Sequence, residues 1–373
     1  MKLLVRKLEL FLRFALVYPL LRALFHNPVL NGPVSLEKVR KILILRYDRI
    51  GDIIVTTPVI EALRNAAPHI VIGVFASAAN SGLIRHNAHV NHIYVVSNNW
   101  IALVREILRA RKERYDVVLN FIFNRTTSGG ILANLIAPRG IKIGQGADHY
   151  GFYFNRLLKL DRGQRHMVDV LFEYVETVFG RRLRRADVRM RIILAPGDTL
   201  RAREFLSRNG LKARDQGTPG FAVVNISATD DVRKISHAQA LGIVHAIRNC
   251  GLPVVLISSP TDNAWRVSVA KHFGTSDVLA FPPEGTADLR EVAALVGYAA
   301  LVVTPDTAIV HVASAMQTPI IGLFTPLQVS AEWLPFGVPN KVVMAEQNQP
   351  VREITVERVA EEIRKFTRGG SIS

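Results

Sequence analysis

The stretch from Leu301 to Pro326, LVVTPDTAIVHVASAMQTPIIGLFTP, leaves this chain few folds to choose from. Leu301 to Val303 is the apolar, β-branched run of a buried parallel strand, closed by Thr304 and Pro305. Asp306 and Thr307 supply polar side chains where a helix N-cap belongs, and Ile309, Val312, Ala313 and Met316 recur at helical spacing. Gln317, Thr318 and Pro319 stop that helix before a second apolar strand, Ile320 to Phe324. Elements joined this closely make a parallel strand-helix-strand crossover. The N–H groups of Thr307 and Ala308 then point beyond the carboxyl ends of the strands, at the positive end of the helix dipole. Such a place suits a phosphate; an ordinary crossover uses it only to seat a capping Asp.

The same alternation runs through the chain. Ile42 to Leu45 is a short apolar strand and Ile53 to Ala66 a helix with Pro58 in its first turns. In the loop between, Arg46 to Asp52, Gly51 permits a tight turn that presents Asp52 at the strand's carboxyl end, as a general base or as a simple cap. Strands at Ile70 to Phe75, Val90 to Val96, Asp116 to Phe121 and Ile141 to Gly146 follow, with helices at Ala79 to Arg85, Ile101 to Lys112 and Arg165 to Phe179. Asn124 to Gly130 reads as a polar loop suited to sugar or phosphate. The second half repeats the scheme with strands Phe221 to Ile226 and Pro253 to Ser258, and helices His237 to Cys250, Ala264 to Phe273, Ala287 to Tyr298 and Val351 to Phe366. Arg233 and Lys234 stand just before one of these helices, placed to reach an anion or to form a solvated pair. The expectation is an α/β protein of two doubly wound, Rossmann-like domains facing across a cleft: residues 39–192 and 193–345, with a leading segment 1–38 and a terminal helix and tail 346–373.

Composition narrows the partners. With 47 Lys and Arg against 31 Asp and Glu, the net charge of +16 favours polyanions: nucleic acid, anionic lipid or phosphorylated glycan. No basic stripe interleaved with aromatics and no recognition-helix motif supports nucleic acid. The one cysteine, Cys250, allows no intramolecular disulfide, reads as a small buried residue and favours a reducing, cytosolic setting. Residues 1–38 are basic and rich in Leu and Phe, but Arg13 and Arg22 interrupt any run of the ~20 apolar residues that spans a bilayer. They read as an amphipathic helix lying on an anionic membrane face, or alternatively packed on the protein itself. GQGADH fails the dinucleotide-binding glycine pattern and there is no Walker A motif. His86, His89 and His92 read as surface residues without metal-ligand spacing, and the adjacent Asp230 and Asp231 do not make an Asp-x-Asp metal motif.

Four segments in order resemble the heptosyltransferases of glycosyltransferase family 9, whose members have the two-domain GT-B fold. They are KILILRYDRIGDIIVTTPVIEALRNAAP, His166 opening a helix, NISATDDVRKIS and VVTPDTAIVHVASAMQTPIIGLFTP, so that the resemblance covers roughly residues 41–345. It implies Asp52 as the base and Lys234, beside Arg233, on the donor phosphate. Asp306, Thr307 and Ala308 would hold the diphosphate and sugar of an ADP-heptose-like donor, with His311 in the same motif and Ser227 and Asp262 also on the donor side. Gly51, Arg49, Arg125 and His166 would lie toward the acceptor. The departures are Ala308 where Gly is common, Ile235 and Ser236 where Trp-Pro is common, and a more charged first loop with Arg46, Asp48 and Arg49. The implied activity is inverting, metal-independent glycosyl transfer without a cofactor. Its acceptor would be an anionic, lipid-linked glycan such as lipopolysaccharide core, and the enzyme would sit peripherally on the cytoplasmic face of the inner membrane. Alternatives are the same reaction with another nucleotide-hexose, or a non-catalytic nucleotide-sugar-binding protein.

Overall fold

Two six-stranded, all-parallel sheets carry the chain, and both are wound the same way. The computed structural model describes residues 15–367 apart from 16, 26, 124–125, 186–187, 215–219, 275 and 328–330. In the front lobe the elements are α1 (Tyr18–Leu24), β1 (Lys41–Leu45), α2 (Ile50–Ala66), β2 (Val71–Ser77), β3 (His92–Val96), α3 (Trp100–Lys112), β4 (Val117–Asn120), α4 (Thr126–Ile136), β5 (Ile141–Gln145), β6 (Arg156–Leu158) and α5 (Met167–Phe179). In the rear lobe they are α6 (Pro196–Arg208), β7 (Ala222–Asn225), α7 (His237–Arg248), β8 (Val254–Ile257), α8 (Asn263–Phe273), β9 (Val278–Ala280), α9 (Leu289–Tyr298), β10 (Leu301–Pro305), α10 (Ala308–Ala315), β11 (Ile320–Phe324), β12 (Asn340–Met344) and α11 (Val356–Thr367).

The strand orders are β3-β2-β1-β4-β5-β6 and β12-β11-β10-β7-β8-β9. Each sheet therefore changes winding direction once, between β1 and β4 in front and between β7 and β10 behind. Loops diverge at such a point and leave a crevice at the carboxyl ends of the strands. The expected two-lobed, doubly wound α/β architecture is what the chain adopts. Its central strands are apolar throughout because both faces are covered: Ile42, Leu43, Ile44 and Leu45 are fully buried, as are Ala222, Val223 and Val224. One face of the front sheet is filled by α2 and α5 and shares a continuous core with rear-lobe residues such as Val302, Val312 and Ala313. The opposite, outer face carries its own core, in which Leu43, Leu45 and Phe75 meet Ala110 of α3 and Leu132, Ala133 and Ile136 of α4.

Several local expectations are corrected. Helix α2 starts three residues earlier than the sequence suggests, so Gly51 and Asp52 sit in its first turn rather than in a loop. Thr126 to Gly130, expected as loop, opens α4. Gly129 and Gly130 are tolerated there because side chains crowd them: a Cβ would lie 2.6 Å from Asn120 Oδ1 and 2.5 Å from Tyr153 Cγ, respectively. The mid-chain helix begins at Met167, with His166 as its N-cap. Cys250 is only partly buried. Strands β6, β9 and β12 and helix α6 go beyond the sequence expectation; β6 and β9 have three residues each, and all three strands lie at sheet edges.

Of the leading segment, residues 1–14, 16 and 26 lie outside the described residues. The part that is described packs on the protein: Tyr18 is buried among His149, Tyr150, Phe152 and Tyr153, and its hydroxyl lies 3.1 Å from Thr127 Oγ1. Leu20 and Leu24 of the same helix are left exposed. No helix among the described residues is long and apolar enough to cross a membrane.

Candidate active site

The two switch points face each other, and the residues singled out in the sequence gather there. In front, β1 is followed directly by Arg46, which is 1% exposed and acts as a hub. Its Nε donates to Asp52 O and to Thr56 Oγ1, each at 3.0 Å, and one terminal nitrogen donates to Asp48 Oδ2 at 3.2 Å and to the carbonyl of Phe121. The other terminal nitrogen lies 3.1 Å from Asp52 Oδ1. A charge this deep requires such partners. Asp52 Oδ2 in turn accepts the backbone N–H of Arg49 at 3.2 Å, a cap for the first turn of α2. Two carboxylates thus share one guanidinium. Burial pushes Asp48 up to about 6, against the pull of Arg46 and with a further push from Asp52.

At the rear switch point, β10 ends at Pro305 and Thr307 caps α10, its Oγ1 accepting the N–H of Ile309 at 3.3 Å. Ala308 opens the helix without a positive φ, so an alanine is accommodated at this position without backbone strain. Asn225, at the end of β7, holds the turn: its Nδ2 donates to Thr304 Oγ1 and Thr307 Oγ1, both at 3.0 Å. Sequence reasoning missed Asn225 and Arg46. The available signal in both cases was a polar residue ending a short apolar strand next to the switch point.

Arg233 reaches into this turn. It donates to Asp306 O at 3.3 Å, lies 3.6 Å from Asp306 Oδ2, and is held from behind by Asp230. Burial raises the Asp306 carboxyl, while Arg233 and, from the front lobe, Arg49 pull it down. Lys234 leans outward instead, 3.1 Å from Asp231 Oδ1, with its side chain 44% exposed. Ser227 Oγ accepts the N–H of Ser259 at 2.8 Å, and Asp262 Oδ2 accepts from Ser259 Oγ at 2.8 Å, forming a polar ledge beside β7 and β8. Arg125 lies outside the described residues.

The lobes meet at Gly51 and His311. A Cβ on Gly51 would stand 2.5 Å from His311 Cδ2, so the N-terminal turn of α2 rests on the imidazole projecting from α10. His311 is buried and its Nδ1 has no hydrogen-bond partner among the described residues. Burial, aided by nearby His166 and Arg46, pushes it down to about 3, so it is neutral. His166 is pushed down to about 4, chiefly by burial. Both of its ring nitrogens are spent: Nδ1 accepts the Val168 N–H at 3.1 Å and Nε2 donates to Leu334 O at 3.0 Å, while the ring stacks on Phe336. Beside it the Arg162 guanidinium grips the buried Glu332 at 2.8 and 2.9 Å, a second bridge between lobes that the sequence did not suggest.

Among the described residues no three His, Cys, Asp or Glu come together as metal ligands. What the site offers instead is a carboxylate on one lobe, and on the other a capped helix N-terminus with a guanidinium at its mouth. That combination can pair proton removal with neutralisation of an anion.

The model of glycosyltransferase family 9 (heptosyltransferase) matches residues 102–362. A lipopolysaccharide heptosyltransferase 3 of Escherichia coli is 26% identical over 291 residues, covering 74% of this chain and 80% of that protein. A lipopolysaccharide core heptosyltransferase, OpsX, of Haemophilus influenzae is 20% identical over 299 residues, 78% and 81% of the two chains. Among solved structures, a family 9 glycosyl transferase from Veillonella parvula superposes with a TM-score of 0.74 at 20% identity, covering 91% of this chain and 99% of that one. The E. coli heptosyltransferase WaaC with ADP gives a TM-score of 0.68 at 18% identity, covering 89% and 100%.

Proposed function

The chain belongs to glycosyltransferase family 9, the heptosyltransferases, and on that premise we propose that it moves a heptose, or a closely related sugar, from an ADP-heptose-like donor to lipopolysaccharide core or a related lipid-linked glycan. It is a glycosyltransferase; the donor, acceptor and mechanism are our reading. The observation that supports this reading is the meeting of α2 and α10 through Gly51 and His311, with Asp52 in the first turn of α2 and the Thr307 cap about one turn along α10 from His311.

In the proposed reaction the Asp52 carboxylate takes the proton of an acceptor hydroxyl as that oxygen attacks the anomeric carbon. Among the described residues each Asp52 oxygen has one partner, and a carboxylate oxygen has a second acceptor site, so a hydroxyl can still be received. As the new bond forms, the bond from the anomeric carbon to the phosphate oxygen breaks on the opposite face, inverting that carbon. The leaving nucleoside diphosphate gathers negative charge. The N–H groups of Thr307 and Ala308 lie ahead of the hydrogen-bond ladder of α10, and together with Arg233 and Lys234 they would stabilise that charge without a metal ion. Asp306, whose carbonyl and carboxylate are both on Arg233, fixes the guanidinium there. Ser227 and Asp262 would take polar groups of the nucleoside, and Arg49 and Arg125 the acceptor's anionic groups. The relatives are named as lipopolysaccharide and lipopolysaccharide core heptosyltransferases; for this chain our reading adds a site of action at the cytoplasmic face of the inner membrane.

A second reading has one observation in its favour: Asp52 caps α2, a task that a non-catalytic nucleotide-sugar-binding protein would also need. The experiment that separates these and names the donor is a thermal-shift panel of ADP-, GDP-, UDP- and TDP-sugars, followed by transfer to lipopolysaccharide core with the donor that stabilises most. Stabilisation by ADP-heptose with measurable transfer is expected; stabilisation by a different nucleotide sugar would refute the donor, and stabilisation without transfer to any core acceptor would favour the binding protein.

A further inference from the structure

Helix α3 covers the outer face of the front sheet, yet it turns apolar side chains to solvent as well as to the core. Trp100, Ile101, Val104 and Leu108 are 72%, 54%, 45% and 53% exposed. Their spacing of three and four residues puts them in one stripe along the helix. The stripe is flanked along the same helix by the cations Arg105, Arg109, Arg111 and Lys112. The one acid of α3, Glu106, is turned inward, accepting the Val95 N–H at 3.3 Å and pairing with Arg109 at 2.9 Å. Arg105 and Lys112 have no acidic partner among the described residues. Apolar stripes of this kind on a soluble surface mark a contact, and basic rims with an exposed Trp mark one made at the boundary of an anionic lipid layer.

Two further observations point the same way. Helix α4 packs beside α3, and α1 touches α4 through the Tyr18–Thr127 contact while leaving Leu20, Arg22 and Leu24 exposed. The position also fits the site. In the parallel register Leu45 is level with Phe75 and Phe75 with Tyr94, so α3, which follows the end of β3, starts at the same sheet edge from which the Arg46–Asp52 turn emerges. The strand β3 is two places from β1, about 10 Å across the sheet.

We infer that the exposed side of α3 is the face by which this chain rests on an anionic bilayer, with Trp100 and Ile101 inserted at the edge nearest the active site. The inference rests on reading the acceptor as lipid-linked: a glycolipid head group standing in the same leaflet would then reach the Asp52 turn from below, without leaving the membrane. The +16 net charge supplies the long-range attraction, and the α3 stripe sets the orientation.

The test is co-sedimentation of the full chain with vesicles of phosphatidylglycerol and phosphatidylethanolamine, and with vesicles of phosphatidylcholine, in the absence of substrates. The wild-type chain should partition onto the anionic vesicles and hardly onto the zwitterionic ones. Ile101→Ser with Leu108→Ser, and separately Arg105→Glu with Lys112→Glu, should each lower the partition coefficient at least about ten-fold, while residues 1–38 stay in place. Brominated lipid should quench indole emission in the wild type, and Trp100→Phe should remove that quenching. All variants should keep wild-type transfer onto a water-soluble acceptor fragment, a result that separates failure here from failure of the proposed reaction. Equal partitioning of wild type and variants, or unquenched Trp100, would overturn the inference. So would a stripe that joins two copies of the chain, seen by light scattering as a dimer that the serine variant dissociates.

Discussion

Gly51 and His311, 260 positions apart in the chain, are in van der Waals contact across the two lobes, and the contact exists only because residue 51 has no side chain. Its φ is not positive, so glycine is required here by the imidazole and not by the backbone.

Gly51→Ala should therefore destabilise the protein by about 1–3 kcal/mol, the usual cost of overpacking, and reduce transfer because the two turns are pushed apart. His311→Ala in the same chain should restore part of the loss, since it removes the atoms that clash. Thermal unfolding of the two single variants and the double variant measures the coupling. Strictly additive effects would show that the lobes do not touch here in solution.

Asp52→Asn preserves the shape and an acceptor oxygen for the Arg49 N–H while removing the base. Turnover should fall roughly 10² to 10⁴-fold, with donor affinity changed only a few-fold. Steady-state kinetics together with donor titration check this; normal turnover would reassign Asp52 to capping alone.

Arg233 and Lys234 should part company in donor binding. Arg233 already lies on Asp306, so Arg233→Ala should raise the donor dissociation constant by roughly ten-fold or more. Lys234 is exposed and must swing in from Asp231, so Lys234→Ala should weaken donor binding less. Calorimetric titration gives both values, and the reverse order would move the phosphate away from Arg233.

Stability should fall with acid. His166 and His311 are held near 4 and 3 by burial, below the ordinary value of about 6.5 that they regain on unfolding. The unfolded chain binds more protons, so each histidine erodes stability by up to about 1.4 kcal/mol per pH unit below 6.5, until its own folded value is passed. Asp48, raised to about 6, works the other way and regains stability as pH falls from 6 toward 4. Asp48→Asn should accordingly stabilise at pH 8, on the order of 1–2 kcal/mol, and not at pH below 4. Urea unfolding across pH 4 to 8 measures both slopes, and a pH-independent gain would remove burial as the cause.

Transfer should proceed at an unchanged rate in EDTA, because the leaving charge is assigned to the α10 N-terminus and Arg233. A requirement for added Mg²⁺ or Mn²⁺ would contradict that assignment.

Much of this was legible in the chain because it is local. Apolar runs such as Ile42 to Leu45 and Ile320 to Phe324, short, β-branched and closed by polar or turn residues, read as buried strands, and the Asp306-Thr307 pair before a helical repeat reads as a cap, which Thr307 is. From these the alternation, the two doubly wound sheets and the two turns that face one another follow. Short strands such as β6 and β9, three residues each, carry too little pattern to be seen, and the glycines at 129 and 130 hid a helix whose neighbours Asn120 and Tyr153 demand them. What only the tertiary structure decided is how charges and rings are shared between distant segments. It gave Arg46 to two carboxylates, turned Arg233 rather than Lys234 onto Asp306, spent both nitrogens of His166 on backbone, and set Gly51 against His311. Periodicity reports which side of an element is buried, but a buried charge chooses its partner by distance in the folded chain, and sequence spacing carries no record of that distance.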